Sequence, residues 1–201
     1  SLCLMNTRSI AKKTELFLDY VCEKRPDIIA VTETWLPNND QAARAAITPC
    51  GYKLIDCPRV GRTGGGTALI FAQKIDTKLI DSGEKDSFEF SEYVINSNKN
   101  KLRICLVYRP TYSASHPITV PGFLQEFSRY LETVILEPEP LLICGDFNIH
   151  VDIVDNHDVI AFLDLLESVA LNQHVNFATH EHGHILDLII SRLSDSIMFE
   201  K

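Results

Sequence analysis

The chain alternates short apolar runs with amphipathic stretches, and the two kinds of segment have different periods. Apolar runs of about four to eight residues predict buried strands, whereas apolar residues that recur every three or four positions predict one face of a helix. Pro26 and Pro138 each end one of the predicted helices. The pattern predicts helices over residues 10–24, 121–136 and 159–169, and strands over residues 2–5, 27–32, 52–56, 67–72, 92–95, 102–108, 141–144 and 186–190.

The order of these elements indicates how they pack. The first elements are a strand, a helix and a strand, whereas residues 98–100 predict a tight turn that joins two strands as a hairpin. A chain that mixes crossovers with hairpins is not typical of a purely parallel, doubly wound sheet. We therefore expect two packed sheets with helices on the outside.

Composition narrows the classes of protein. The 201 residues are 45% hydrophobic, which is enough for one large domain or two small ones with a buried core. No apolar run approaches the ~20 residues of a membrane helix, and residues 1–5 lack the features of a secretory signal. We therefore expect an intracellular protein that is not associated with a membrane. The formal net charge of −8 argues against binding nucleic acid through a broad basic surface. An acidic enzyme can still act on a phosphate backbone through a divalent cation.

The cysteines do not form the C-x2-C pairs of common zinc sites. Several of them lie inside apolar runs. This pattern favours reduced, buried thiols over disulfides or zinc ligands. The six are Cys3, Cys22, Cys50, Cys57, Cys105 and Cys144.

Polar residues directly after buried strands are the candidates for chemistry, because a packed strand holds its end rigidly while that end meets solvent. Asn6 follows the first strand, although asparagine is also common in ordinary turns. Glu33 ends a fully apolar strand beside Trp35, the single tryptophan. A carboxylate there is costly to desolvate unless it is paired, protonated or bound to a cation.

The segment Gly145-Asp146-Phe147-Asn148 carries a second candidate site. Asp146 and Asn148 are two positions apart, so in an extended segment they face the same side and could hold and polarise a water molecule. Gly145 would permit close approach of a substrate. The alternative is an ordinary Asx turn.

Asp187 interrupts the last apolar run, where a solvated side chain is hard to place, and a buried aspartate needs a partner such as histidine. His180, His182 and His184 precede it, but this H-x-H-x-H spacing lacks a nearby fourth ligand of the zinc type. We therefore do not interpret the three histidines as a zinc site.

Two features are weaker. Tyr108 and Arg109 end another apolar strand and could place a phenol and a guanidinium near a phosphate. The glycines at 64–66 are not followed by G-K-[ST], so they predict a turn into the next strand and not a phosphate-binding loop.

Together these residues resemble the endonuclease/exonuclease/phosphatase superfamily. The ordered set comprises Asn6, Glu33 in Thr-Glu-Thr-Trp, Tyr108 in Tyr-Arg-Pro, Asp146 and Asn148 in Gly-Asp-Phe-Asn, and Asp187 in Leu-Asp-Leu-Ile. The chain is also similar to the endonuclease domains of LINE-type (non-LTR) retrotransposons, in the segments NTRSIAKK, DIIAVTETWL, GGGTALIF, VYRP and LLICGDFNIHVD. The resemblance extends over nearly the whole chain.

This resemblance implies a four-layer α/β/β/α sandwich of two mixed sheets with outer helices, formed by residues 1–201 as one domain. It implies that Glu33, helped by Asn6, binds Mg²⁺ or Mn²⁺, and that Asn6 and Arg109 contact the substrate. Asp146 would deprotonate the attacking water and Asn148 would orient it. Tyr108 would contact the scissile phosphate, and Asp187 would orient a catalytic histidine.

The sequence departs from the superfamily in two places. Members end with Ser-Asp-His on a final strand, but the chain ends Ser194-Asp195-Ser196 and onward without that histidine. We therefore expect that the final catalytic strand is missing and that the domain is truncated at its C-terminus. In addition, apurinic endonucleases carry an acidic residue just after the position of Asn6, where this chain has Thr7 and Arg8.

Three functions stay open at this stage. The first is a retrotransposon endonuclease that nicks double-stranded DNA in the nucleus, so that the 3′-hydroxyl primes reverse transcription. Its partners would be the element RNA and the reverse transcriptase domain of the same polyprotein. The second is a superfamily phosphatase that acts on phosphoinositide-type esters. The third is a decayed or co-opted fragment that folds or binds but does not cut.

Overall fold

The strands form two mixed sheets that face each other in a computed structural model, which describes residues 1–97 and 100–197. The smaller sheet has the order β1-β2-β4-β3, and the larger has the order β5-β6-β7-β8-β10-β9. The pairs β1–β2 and β7–β8 are parallel, and the others are antiparallel. The strands are β1 (Leu2–Asn6), β2 (Ile28–Thr32), β3 (Tyr52–Cys57), β4 (Thr67–Ala72), β5 (Asp76–Glu84), β6 (Glu89–Ser97), β7 (Asn100–Tyr108), β8 (Leu141–Asp146), β9 (Leu171–Gln173) and β10 (Asp187–Arg192).

Helices cover the outer face of each sheet. One buried cluster joins the smaller sheet to α1 and α2, a second lies between the sheets, and a third joins the larger sheet to α3 and α4. The expected four-layer sandwich is therefore confirmed. The helices are α1 (Thr14–Lys24), preceded by a 3₁₀ turn (Ile10–Lys13), α2 (Gln41–Ile47), α3 (Val120–Val134) and α4 (His157–Ser168).

The two-residue period of a strand assigns each apolar side chain to a layer. In β7, Leu106 packs between the sheets while Val107 packs against α3 and α4. In β8, Cys144 packs between the sheets and Ile143 packs against α3 and α4. Both faces of these central strands are buried, which explains why their sequences are continuous apolar runs.

The sequence did not predict three elements. The seven-residue α2 is too short to show a helical period, and only its last residue, Ile47, is buried. β5 lies at a sheet edge and is mostly exposed, so it lacks an apolar run. β9 has three residues at the opposite edge. The expected hairpin is confirmed by the antiparallel pairing of β6 with β7, although residues 98–99 of its turn lie outside the described residues.

The thiols are less uniformly buried than expected. Cys105 and Cys144 are buried, but Cys22 and Cys50 are exposed. Both exposed cysteines lie near helix or turn boundaries and not within a buried strand. Among the helices of the described residues, none is both long enough and apolar enough to cross a membrane.

Candidate active site

A row of polar side chains crosses the end of the larger sheet. Glu89 of β6 pairs with Tyr108 of β7, and Tyr108 pairs with Asp146 of β8. Asp146 in turn lies opposite Asp187 of β10. Cross-strand partners project from the same face at a spacing of about 5 Å, so the register gathers three carboxyl groups and a phenol at one rim. The alternation that places Leu106 between the sheets continues to Tyr108, so this rim is the open end of the intersheet layer.

The smaller sheet contributes Asn6 and Glu33 to the same rim. Asn6 and Thr32 are paired at the ends of β1 and β2, and Glu33 follows at once. Glu33 has a φ of 52°, a left-handed conformation that costs free energy for a residue with a side chain. The backbone nitrogens of Thr34 and Trp35 donate to the carbonyl oxygens of Gly66 and Gly65 at 3.2 and 3.0 Å, and these bonds hold the turn.

Asn6 joins the two sheets through its side-chain amide. Its Nδ2 donates to Glu33 Oε1 at 2.8 Å and to Asp146 Oδ2 at 2.6 Å. Its Oδ1 accepts from the backbone nitrogen of Arg8 at 3.1 Å. One nitrogen therefore bridges two carboxylates that come from different sheets and are 113 positions apart in the sequence (146 − 33).

Asp146 lies deepest of these side chains, at 4% exposure. Its Oδ1 accepts from the backbone nitrogen of Asn148 at 3.0 Å. Burial raises the pKa of Asp146 to about 7, and the negative charges of Asp187 and Glu33 add to the rise, while the amide of Asn6 opposes it. A carboxyl group that titrates near neutral pH can accept and release a proton under physiological conditions.

The side chains of Asn148 and Arg109 bind each other's backbone. Asn148 Nδ2 donates to the carbonyl oxygen of Arg109 at 2.6 Å, so Asn148 holds Asp146 through its backbone N–H and not through its amide. The guanidinium of Arg109 is buried and donates to the carbonyl oxygens of Phe147 and Asn148 at 3.4 and 3.1 Å. Arg109 thereby positions this loop. A substrate contact for Arg109 stays a prediction, and its burial argues against it.

Tyr108 is also buried at the rim, at 7% exposure. Burial is the main cause that raises the pKa of its phenol, and the charges of Glu33 and Asp146 add to the rise. The Arg59 guanidinium lies over the ring, 5.8 Å from its centroid. The phenol therefore stays protonated at neutral pH and can donate a hydrogen bond.

Asp187 has an incompletely satisfied carboxylate. Within residues 1–97 and 100–197, its buried Oδ1 has no hydrogen-bond partner. Its backbone nitrogen donates to Thr179 Oγ1 at 3.0 Å. Burial raises the pKa of Asp187, whereas the Thr179 hydroxyl and the charge of His180 lower it.

The family of the chain follows from its sequence over nearly its whole length. A sequence model described as the Endonuclease/Exonuclease/phosphatase family matches residues 6–195. The chain belongs to this family. No curated protein sequence matches the chain.

Several solved structures share this fold at low identity. An AP endonuclease from Leishmania major is 14% identical with a TM-score of 0.71, over 96% of this chain and 78% of that one. The endonuclease domain of TRAS1, a telomere-specific non-LTR retrotransposon, is 14% identical with a TM-score of 0.65, over 94% and 82%. The 3′ phosphatase NExo from Neisseria, bound to a product DNA hairpin, is 15% identical with a TM-score of 0.67, over 96% and 86%.

Enzymes of this Endonuclease/Exonuclease/phosphatase family typically use divalent metals, and the rim offers oxygen donors of the kind that such ions bind. Glu33, Asp146 and Asp187 supply carboxylate oxygens, which hard divalent cations prefer. Among the described residues, no lysine or arginine forms an ion pair with any of the three. The buried Oδ1 of Asp187 further shows that this centre has unused acceptor capacity.

Two details of the rim differ from the sequence interpretation. Gly145 is required by the pairing of β7 with β8, because a Cβ there would overlap the carbonyl oxygen of Val107, and a role in substrate approach stays a prediction. Sequence reasoning also missed the indole of Trp35, whose Nε1 donates to Glu33 Oε2 at 3.2 Å. Its position two residues after Glu33 was the available signal. The glycines at 64–66 form the expected turn into β4, and all three have positive φ.

Proposed function

We propose that the protein is a divalent-metal-dependent endonuclease of the retrotransposon type, which nicks double-stranded DNA and leaves a 3′-hydroxyl. One observation carries the proposal: Asn6 bridges Glu33 of one sheet to Asp146 of the other, and Asp146 pairs with Asp187. Within residues 1–97 and 100–197, no lysine or arginine forms an ion pair with these three carboxylates. Such a centre gains from a cation and from a substrate that brings phosphate oxygens to that cation.

The residues divide the chemistry of phosphodiester hydrolysis between them. Glu33 and Asn6 would hold Mg²⁺ or Mn²⁺, and the ion when bound supplies charge neutralisation at the scissile phosphate. Asp146 accepts the proton of the attacking water and is held in place by the Asn148 backbone N–H. Tyr108 donates a hydrogen bond from its neutral phenol to a phosphate oxygen.

DNA as the substrate is supported by the charges next to the acidic centre. Arg8 and Lys12 are exposed on the segment that directly follows Asn6, and Lys12 lies over the ring of Trp35 at 5.9 Å. These cations can contact backbone phosphates on either side of the reacting one. With a net charge of −8, binding would depend on this local basic segment and on the cation.

The proposal extends to the setting of the reaction. The nick would be made in chromosomal DNA in the nucleus, and the 3′-hydroxyl would prime a reverse transcriptase domain of the same polyprotein with the element RNA as template. The wording of the motifs, and the shared fold with the TRAS1 domain, support this setting.

Relaxation of supercoiled plasmid tests the activity. We expect nicking with Mg²⁺ or Mn²⁺ that stops with EDTA, and nicked ends that a DNA polymerase extends without prior treatment. Glu33→Gln, which keeps the shape of the side chain, should be inactive. Plasmid that stays supercoiled with folded wild-type protein and Mg²⁺ would contradict nicking by residues 1–201 and favour a fragment that does not cut.

A phosphatase is the second candidate, because a 3′ phosphatase shares this fold at similar identity. The same preparations should be offered a phosphoinositide and a 3′-phosphorylated DNA hairpin, with release of inorganic phosphate as the measurement. Phosphate release without plasmid nicking would replace the endonuclease by this candidate.

A further inference from the structure

A second group of potential metal ligands lies outside the acidic centre. His150, Asp152 and His184 each offer one ligand atom, and these atoms all lie within 4.8 Å of one another. Within the described part of the chain, this is the group of three that meets that spacing. His184 does not join His180 and His182 in it, so the grouping differs from the H-x-H-x-H cluster that the sequence displays.

The backbone holds the three side chains close together. His150 and Asp152 flank the buried Val151 and are themselves exposed. Val151 N donates to the carbonyl oxygen of Ile185 at 3.3 Å, which joins the loop after β8 to the loop before β10. Asp152 Oδ1 accepts from Ile185 N at 2.9 Å, so the carboxylate is aimed at the neighbouring loop.

The position of His184 is fixed by a compact turn. The backbone nitrogens of Thr179 and His180 both donate to the carbonyl oxygen of His184, at 2.9 and 3.0 Å, and Gly183 supplies the positive φ of 85° that the turn requires. His184 Nδ1 lies 2.9 Å from Asp152 Oδ2, and the His150 and His184 rings are 4.2 Å apart between centroids.

We propose that His150, Asp152 and His184 form a binding site for a first-row transition metal such as Zn²⁺, distinct from the acidic centre. Two imidazoles and one carboxylate are a donor set that suits Zn²⁺, and they leave a fourth position for water. Ligand atoms around tetrahedral Zn²⁺ are about 3.3 Å apart, and rotation of the side chains, of which His150 and Asp152 are exposed and His184 is half-buried, closes the remaining distance. The ion would fasten the loop that carries Asn148 to the loop that leads into Asp187.

Zinc binding to the untagged chain tests the site, with ZnCl₂ in competition with a chromogenic chelator. We expect wild-type protein to bind stoichiometric Zn²⁺ and to melt at a higher temperature when Zn²⁺ is present, because the ion binds the folded state. His150→Ala and His184→Ala should each weaken binding by about tenfold or more. Asp152→Asn should do the same while it keeps an acceptor for Ile185 N, so that its melting without metal stays close to wild type.

Three controls distinguish this site from other histidines and from the acidic centre. His182→Ala, in the same loop, and His157→Ala, at the start of α4, should bind Zn²⁺ as wild type does. Glu33→Gln should also retain Zn²⁺ binding, so the result stands whether or not the chain proves to be a nuclease. No binding by wild type, binding that survives His150→Ala and His184→Ala, or an equal loss with His182→Ala would each overturn the proposal.

Discussion

Glu89 and Asp187 occupy opposite ends of one row across the larger sheet, and their surroundings differ. Glu89 accepts from Arg59 and from Gly66 N, and both side chains of this ion pair are 7% exposed. Asp187 has a buried oxygen with no donor among the described residues, and its neighbour in the row is another carboxyl group. The same chemical group is thus neutralised at one end of the row and left with unused charge at the other.

A buried carboxylate can stabilise the fold through an ion pair, or it can lie in a site that lacks a counter-ion. Burial raises the pKa of Glu89, but the charge of Arg59 opposes the rise. Glu89 also accepts from Gly66 N, so the pair stabilises the turn whose Gly66 carbonyl oxygen binds Thr34 N. Burial and like charge act together on Asp146, for which the described part of the chain provides no basic ion-pair partner. Carboxylates that lack a counter-ion are therefore the place where we expect a ligand to supply one.

The largest effect is expected at the neutralised end. Glu89→Gln should lower the free energy of unfolding by about 3–5 kcal/mol, because it leaves the Arg59 guanidinium buried without an anion. Glu84→Gln is the matched control, since Glu84 pairs with Arg62 at 33% and 38% exposure and should cost less than about 1 kcal/mol. Urea denaturation monitored by circular dichroism measures both. Equal losses would show that Glu89 is no more important to stability than a surface pair.

The next largest effect is expected on DNA nicking, at Asp146 in the part of the row that has no ion pair among the described residues. Asp146→Asn should slow plasmid nicking by about a hundredfold or more, which corresponds to about 2.7 kcal/mol, because the amide cannot accept the proton of the attacking water. Far-UV circular dichroism should be unchanged, since the substitution keeps the size of the side chain. Nicking at the wild-type rate, or loss of a cooperative unfolding transition, would contradict the assigned role.

The third prediction is a rise in the free energy of unfolding, opposite in sign to the loss expected for Glu89→Gln. In EDTA, Asp187→Asn should raise the free energy of unfolding by about 0.5–2 kcal/mol, because it removes a charge that the fold leaves unpaired, while nicking in Mg²⁺ declines. Asp195→Asn is the control, because Asp195 accepts from Leu141 N and pairs with Arg192, and its substitution should lower stability. If the two variants shift the melting temperature in the same direction, the contrast between paired and unpaired acids fails.

The sequence predicted most of the buried frame because buried strands and amphipathic helices impose a period on their residues. The strands that carry Asn6, Tyr108, Asp146 and Asp187 all lie within two residues of their expected bounds at those ends. Edge strand β5 and the short helix α2 bury little apolar surface, so no period marks them. Sequence patterning therefore detects burial and is insensitive to elements at the edge.

The hydrogen bonds within the candidate site were harder to predict than the residues that compose it. The family resemblance named both Glu33 and Asp146, but the hydrogen bonds from Asn6 Nδ2 that join them depend on how the two sheets meet. The pairing of Arg59 with Glu89 joins residues 30 positions apart and leaves no local pattern. A phosphate contact for Arg109 stays a prediction, and only the fold shows that its guanidinium donates to backbone carbonyl oxygens.

The smallest effect concerns the indole beside Glu33. Trp35→Phe keeps an aromatic ring next to Lys12 but removes the donor to Glu33 Oε2, and the side chain is 41% exposed, so stability should hardly change. One partly solvated hydrogen bond contributes about 1 kcal/mol or less, so nicking at limiting Mg²⁺ should fall by about fivefold or less. A Mg²⁺ titration of the nicking rate measures this, and saturating Mg²⁺ should restore most of the rate. A loss as large as that of Glu33→Gln would instead place the indole among the groups that contact DNA, and no change at any Mg²⁺ concentration would show that Asn6 alone orients Glu33.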